Sequence, residues 1–325
     1  MNVNEMLGLP LLEGDVGVEI EVEGRQLPTR NTLHWQTTRD GSLRGGYEYV
    51  LKVPVKADDF PKAMEELLGE FERTGAKPDF SFRTSVHVHV NCLGLTYLQL
   101  LNFIYIGYLL EGILIDYSGE IRKGNRFCLR LRDADGLMYT LNDMFKAKDL
   151  RVIFPLLRQD ALKYAAMNLA SIRGLGTLEF RSMRGTIDPA VLLPWVQALV
   201  NIRTYATKFA NPKEVQKAFM ADGEKFAQEA LGEKEFELMY QPELFPLLQE
   251  SFSLTYELPH LVREEKKDPK ARRKNPKPLN FGDLVRGIPA VEPDIQWDRI
   301  MEDARIQRAM FVERARDFGQ VAPDF

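Results

Sequence analysis

The stretch His87-Val88-His89-Val90-Asn91 alternates without a break. Side chains of a strand point to opposite faces with period two, so His87, His89 and Asn91 share one face and Val88 and Val90 the other. One side of such a strand belongs to a core. The other carries two imidazoles and a carboxamide, groups suited to the floor of a site. Paired histidines on a solvent-facing strand are also ordinary surface residues, so the segment gains weight only from others of the same design.

Working outward, Gly17-Val18-Glu19-Ile20-Glu21-Val22-Glu23 repeats the pattern, with Glu19, Glu21 and Glu23 on one face. Like charges stacked along a strand repel, and a divalent cation is an economical counter-charge. Mg²⁺ and Mn²⁺ take carboxylate oxygen, and Mn²⁺ also accepts imidazole. The plain alternative is a charged edge strand that resists aggregation. Tyr47-Glu48-Tyr49-Val50-Leu51 follows an Asp40-Gly41 turn and sets Glu48 opposite Tyr47, Tyr49 and Leu51. In Gly176-Thr177-Leu178-Glu179-Phe180-Arg181-Ser182-Met183, Thr177, Glu179 and Arg181 share a face. There Glu179 suits a metal ligand and Arg181 a planar clamp for phosphate or carboxylate; an exposed, mutually neutralised pair is the plain reading.

Composition narrows the classes. The 325 residues suit one large domain or two smaller ones, and the net charge of −4 argues against a nucleic-acid partner. Two cysteines, Cys92 and Cys128, form no disulfide framework and no zinc-type spacing, which fits a reducing cytoplasm. The N-terminus lacks the basic start and apolar core of a signal peptide. The apolar run Leu98 to Ile115 is interrupted by Gln99, Asn102 and Glu111, so a buried central helix is expected rather than a membrane span. No phosphate-binding glycine loop and no Gly-x-Ser-x-Gly elbow occurs.

Pattern and turn signals predict strands over 16–23, 33–37, 47–54, 80–91 and 176–183. They predict helices over 58–74, 95–117, 149–167, 188–210, 212–230, 233–240 and 242–250, with 120–148 mixed. Strands with interspersed helices and no regular βαβ beat imply an α+β fold with an antiparallel sheet. Residues 1–260 read as a catalytic domain, 261–280 as a charged Pro/Lys-rich linker or loop, and 281–325 as a C-terminal helical extension. Within the linker, residues 263–278 hold eight Lys/Arg against three Asp/Glu. The extension carries apolar residues at helical spacing and is expected to pack on the core or on a second copy of the chain.

The ordered set of Glu19/Glu21, Glu48, His87/His89/Asn91, Ser171-Ile172-Arg173 and Glu179/Arg181 resembles the glutamine-synthetase-like carboxylate–amine ligases. It resembles most closely their amidoligase branch in bacteria and phages. The likeness spans about residues 15–210 and departs from the family at Asn91, where the family has serine. It implies a curved antiparallel sheet holding ATP and two or three Mg²⁺ or Mn²⁺ ions, and small-molecule or peptide carboxylate and amine substrates. It also implies roles. Glu19, His87 and Glu179 hold one metal, and Glu21 and Glu48 a second. His89 and Asn91 face the nucleotide, and Arg173 and Arg181 bind phosphate. Glu48 or Asp40 takes the amine proton. The competing readings are a phosphagen-kinase-like phosphotransferase, an ATP-independent metal hydrolase, and a non-catalytic binding protein on a degenerate ligase fold.

Overall fold

The protein's structure is a computed structural model describing residues 1–158 and 160–262. The expected linker from residue 263 onward and the expected helical extension lie outside the described residues. Seven strands form one sheet: β1 (Val16–Arg25), β2 (Trp35–Thr38), β3 (Tyr47–Leu51), β4 (Lys77–Asp79), β5 (Ser85–Asn91), β6 (Met167–Asn168) and β7 (Thr177–Arg184). The order is β2-β3-β1-β5-β7-β6, with β4 pairing the far end of β1, and every pair is antiparallel. The α+β class with an antiparallel sheet is therefore as the pattern of elements implied.

The helices are α1 (Val3–Leu7), α2 (Phe60–Thr74), α3 (Tyr97–Leu109), α4 (Glu111–Ser118), α5 (Asp135–Lys146), α6 (Ser171–Leu175) and α7 (Pro189–Ala206). They continue as α8 (Pro212–Ala221), α9 (Gly223–Leu231), α10 (Glu233–Met239), α11 (Phe245–Thr255) and α12 (Leu258–Leu261). The helix expected over 149–167 does not form. Its apolar positions Leu150, Ile153, Leu157 and Leu162 are buried as the spacing implied, but the backbone makes three short 3₁₀ turns, at Leu150–Ile153, Leu156–Arg158 and Asp160–Tyr164. Pro155 interrupts the run: it offers no N–H and its ring clashes with the preceding turn.

The apolar face of the sheet is built from Val18, Ile20 and Val22 of β1, Val86, Val88 and Val90 of β5, and Leu178, Phe180 and Met183 of β7, all buried. Helices α4 and α7 pack on it, and α3 lies against α7. Helix α3 is apolar all round because it is covered all round: every residue from Leu100 to Leu109 is buried. No single described helix is long and apolar enough to cross a membrane; α3 and α4 pass that test only as a pair, bent by 57°.

Among the described helical acids, half-buried Glu111 is the one whose carboxyl burial raises. Glu111 opens α4, and both its carboxyl oxygens accept the Leu131 amide, each at 3.1 Å. Burial pushes its carboxyl up to about 8, against the pull of that amide and of Arg130. Stability from this group is complete below 4.5, where the acid is neutral folded and unfolded, and is lost as pH rises toward about 8. Glu111→Gln is thus expected to match wild type near pH 5 and to exceed it by several kcal/mol near pH 8. Urea denaturation at the two pH values checks this; a pH-independent difference overturns it.

Candidate metal centre

The opposite face gathers the charged groups, and strand register does the gathering. Glu19 of β1 pairs with His87 of β5 on one side and Val50 of β3 on the other. Glu21 stands opposite Glu48, and His89 opposite Glu179. Four strands thus bring residues 160 positions apart in sequence onto one patch.

A bulge refines the placement. Val88 pairs with Phe180 but Val86 with Met183, so Arg181 and Ser182 together stand against His87. A bulge of this kind turns a side chain and exposes unpaired carbonyls. Arg122, almost fully buried, answers both: its Nε donates to the Ser182 carbonyl at 3.0 Å and its Nη2 to the Arg181 carbonyl at 2.8 Å. Arg122→Leu strands two buried acceptors, and a loss of about 2–4 kcal/mol in equilibrium denaturation is expected. A loss below 1 kcal/mol would mean that the bulge holds itself.

The acids divide by their partners. Glu21 Oε2 accepts from the Ser85 amide at 2.8 Å and from its hydroxyl at 2.6 Å. The Ser85 hydroxyl in turn lies 2.8 Å from His87 Nε2. His87 Nδ1 faces Glu19 Oε2 at 3.1 Å and Glu179 Oε1 at 3.8 Å. His89 Nε2 faces Glu19 Oε1 at 3.4 Å and Glu179 Oε1 at 3.9 Å, and its Nδ1 meets the Thr177 hydroxyl at 3.1 Å. Glu179 Oε2 accepts from Asn168 at 2.6 Å and Ser171 at 2.7 Å, while Arg181 pairs with its Oε1.

Asp40 arrives from the β2–β3 loop. Its Oδ1 accepts the Ser42 amide at 2.7 Å, an Asx turn that fixes the loop locally. Gly46 closes the loop where any Cβ would stand 2.4 Å from the Val22 carbonyl. Among the described residues, three groups then have ligand atoms within 4.8 Å of one another: Glu19/Glu48/His87, Glu19/His89/Glu179 and Glu21/Asp40/Glu48.

The electrostatics follow from crowding. Burial and then the charges of Glu19 and Glu21 push Glu48 up to about 7, against His87 and Thr38. Burial also opposes charge on Glu19, but the hydrogen-bonded His87 and the nearby His89 outweigh it and hold that carboxyl well below the usual range. Glu179 is likewise low: burial is outweighed by Arg181 and the two imidazoles. Five carboxyls share the patch with two imidazoles and one guanidinium, so a divalent cation fits the charge balance as well as the donor types.

Of the residues singled out in the sequence, Glu19, Glu21, Asp40, Glu48, His87, His89, Glu179 and Arg181 come together here. Asn91 does not join them through its side chain, whose amide donates to the Leu12 and Gly14 carbonyls at 3.1 and 2.8 Å. The Arg173 guanidinium lies over the Phe154 ring, 5.6 Å from its centroid, and among the described residues no ion pair or hydrogen bond joins it to the patch. Ser85, Thr177, Asn168, Ser171 and Arg122 were missed as site residues. Only Thr177, by its place on the Glu179 face, and Ser171, by its place in the Ser171-Ile172-Arg173 motif, carry a signal in the sequence.

No family model matches this chain, and no curated protein is detectably similar to it.

Proposed function

We propose that this chain is an ATP-dependent carboxylate–amine ligase of the glutamine-synthetase-like kind, working at divalent metal. The supporting observation is the register that sets Glu19 beside His87, with Glu179, Glu48 and Glu21 on the flanking pairs. It brings Glu19/Glu21, Glu48, His87/His89 and Glu179/Arg181 of the resemblance to a common surface.

A carboxylate does not form an amide directly in water, because its oxygen is a poor leaving group. Transfer of the γ-phosphoryl of ATP to a carboxylate oxygen releases ADP and makes an acyl phosphate. The amine nitrogen then attacks the acyl carbon, phosphate leaves, and the amine proton passes to a carboxylate. Glu19, Glu21, Glu48, His87 and Glu179 would hold the metal, which neutralises phosphate charge when bound, and His89 would face the nucleotide. Arg181 is the cation of the patch that can turn to a transferring phosphoryl group, where positioning and charge neutralisation do most of the catalysis. Asp40 and Glu48 stand together at one border of the patch, as candidates to take the amine proton.

One observation favours a second reading, a metal-dependent hydrolase with no use for ATP. Of the nucleotide contacts that the resemblance implies, Asn91 is engaged with backbone carbonyls and Arg173 with Phe154. Incubation with ATP, Mg²⁺ or Mn²⁺, a panel of carboxylates and hydroxylamine separates the two. Acyl hydroxamate formed in step with ADP is expected. ADP formation with no hydroxamate from any carboxylate points to a phosphotransferase, and metal-dependent hydrolysis without ATP to the second reading.

A further inference from the structure

We propose that Glu19 bridges two cation positions and that each has its own imidazole: His89 with Glu179 at one, His87 with Glu48 at the other. This assigns His89 to metal, where the resemblance implies nucleotide, and it rests on the reading that the sheet face binds divalent cations.

The Glu19 carboxylate presents one oxygen to each histidine, Oε2 to His87 and Oε1 to His89. The far nitrogen of each ring is held by a hydroxyl. The single Ser85 hydroxyl proton goes to Glu21, so Ser85 accepts from His87, which must carry its proton on Nε2. Nδ1 of His87 is left facing the acids. At His89 the arrangement is reversed: Nδ1 meets Thr177, and Nε2 faces Glu19 and Glu179. A ligating imidazole generally has its other nitrogen fixed in this way.

His89 Nε2 carries the argument. It is buried, the residue being 8% exposed, and among the described residues it makes no hydrogen bond, with Glu19 Oε1 3.4 Å away. A buried ring nitrogen aimed between two carboxylates without a hydrogen bond is a ligand position. Spacing agrees: bonds of about 2.1 Å leave neighbouring donors about 3.0–3.4 Å apart. At the His89 position the contacts of 3.4 and 3.9 Å need to close by about half an ångström at most; at the His87 position Glu19 already stands at 3.1 Å and Glu48 within 4.8 Å. An imidazole at each position favours a first-row transition cation over Mg²⁺, which prefers all-oxygen shells and keeps its waters. The Glu21/Asp40/Glu48 group, all oxygen, has no such preference.

The test uses the full chain, stripped of metal with a chelator and titrated with Co²⁺, Mn²⁺ and Mg²⁺ by calorimetry, with Co²⁺ absorption and Mn²⁺ paramagnetic resonance as further readouts. Wild type is expected to bind two Co²⁺ at least tenfold more tightly than Mg²⁺ and to give a spin-coupled Mn²⁺ pair. His89→Gln and His87→Gln each remove one Co²⁺ and the coupling, and Thr177→Val weakens one Co²⁺ by about 10- to 100-fold. A His89→Gln protein with wild-type Co²⁺ stoichiometry, affinity and spectrum overturns the proposal. If that variant does not fold, Zn²⁺-loaded wild type decides by long-range proton–nitrogen spectra. Nδ1–H on His89 supports the assignment, and Nε2–H overturns it. Wild type that binds no divalent cation defeats both this proposal and the ligase. The expected Co²⁺ behaviour without ATP-dependent product defeats the ligase and leaves the two positions standing.

Discussion

Glu19→Gln is expected to reduce ATP-dependent turnover at least 10³-fold and to weaken divalent-cation binding by about 100-fold, with the fold retained. Glu19 belongs to two of the three donor groups, so one amide oxygen must replace a charged ligand twice over. Loss of charge also removes the partner of both imidazoles. The variant therefore differs from Glu21→Gln, which touches a single group and is expected to cost less. Calorimetric titration with Mn²⁺ and an ADP-release assay give both numbers. Near-wild-type cation affinity would put the metal elsewhere and sink the ligase reading with it.

Arg181→Gln is expected to split the two activities. Its guanidinium pairs with Glu179 and lies 3.5 Å from His87 Nδ1, so in the ion-free protein it supplies counter-charge where a cation would bind. Removing it frees Glu179 for metal, and cation affinity is expected to rise several-fold. The same change removes the positive side chain available to a transferring phosphoryl group, and turnover is expected to fall about 10²- to 10³-fold. The sign of the binding change is diagnostic. A parallel fall in cation affinity and turnover would mean that Arg181 only props Glu179 in place.

The strands that carry the patch were legible because period two was strict and the polar face was chemically unusual. Val18, Ile20, Val22, Val88 and Val90 are buried, and Glu19, Glu21, His87 and His89 face away from them. What sits beside what was not legible. Pairing β1 with β5 and β5 with β7 joins segments by long connections, and alternation within a strand says nothing of its neighbour's register. The expected division of the two histidines illustrates this: both lie within 4 Å of Glu19 and Glu179, a fact of register alone. Asn91 stands apart from the patch for a local reason, since the end of β5 leaves the carbonyls of Leu12 and Gly14 to be satisfied and its amide satisfies them. The second-layer hydroxyls Ser85 and Thr177 give no signal by type, because serine and threonine are common in strands and turns alike.

The bulge in β7 makes that strand sensitive to counting as well as to identity. Leu178 and Phe180 meet the core at even positions, and Met183 at an odd one, because Arg181 and Ser182 share a single partner. Deleting Ser182 would restore plain alternation with Met183 still opposite Val86 on the core face, but it would take away the carbonyl that Arg122 Nε binds. Replacing Ser182 by alanine would remove only its contact with Ser118. In this segment the number of residues is itself information: the extra residue supplies one of the two carbonyls that hold the buried Arg122, so losing the residue should be worse tolerated than exchanging its side chain.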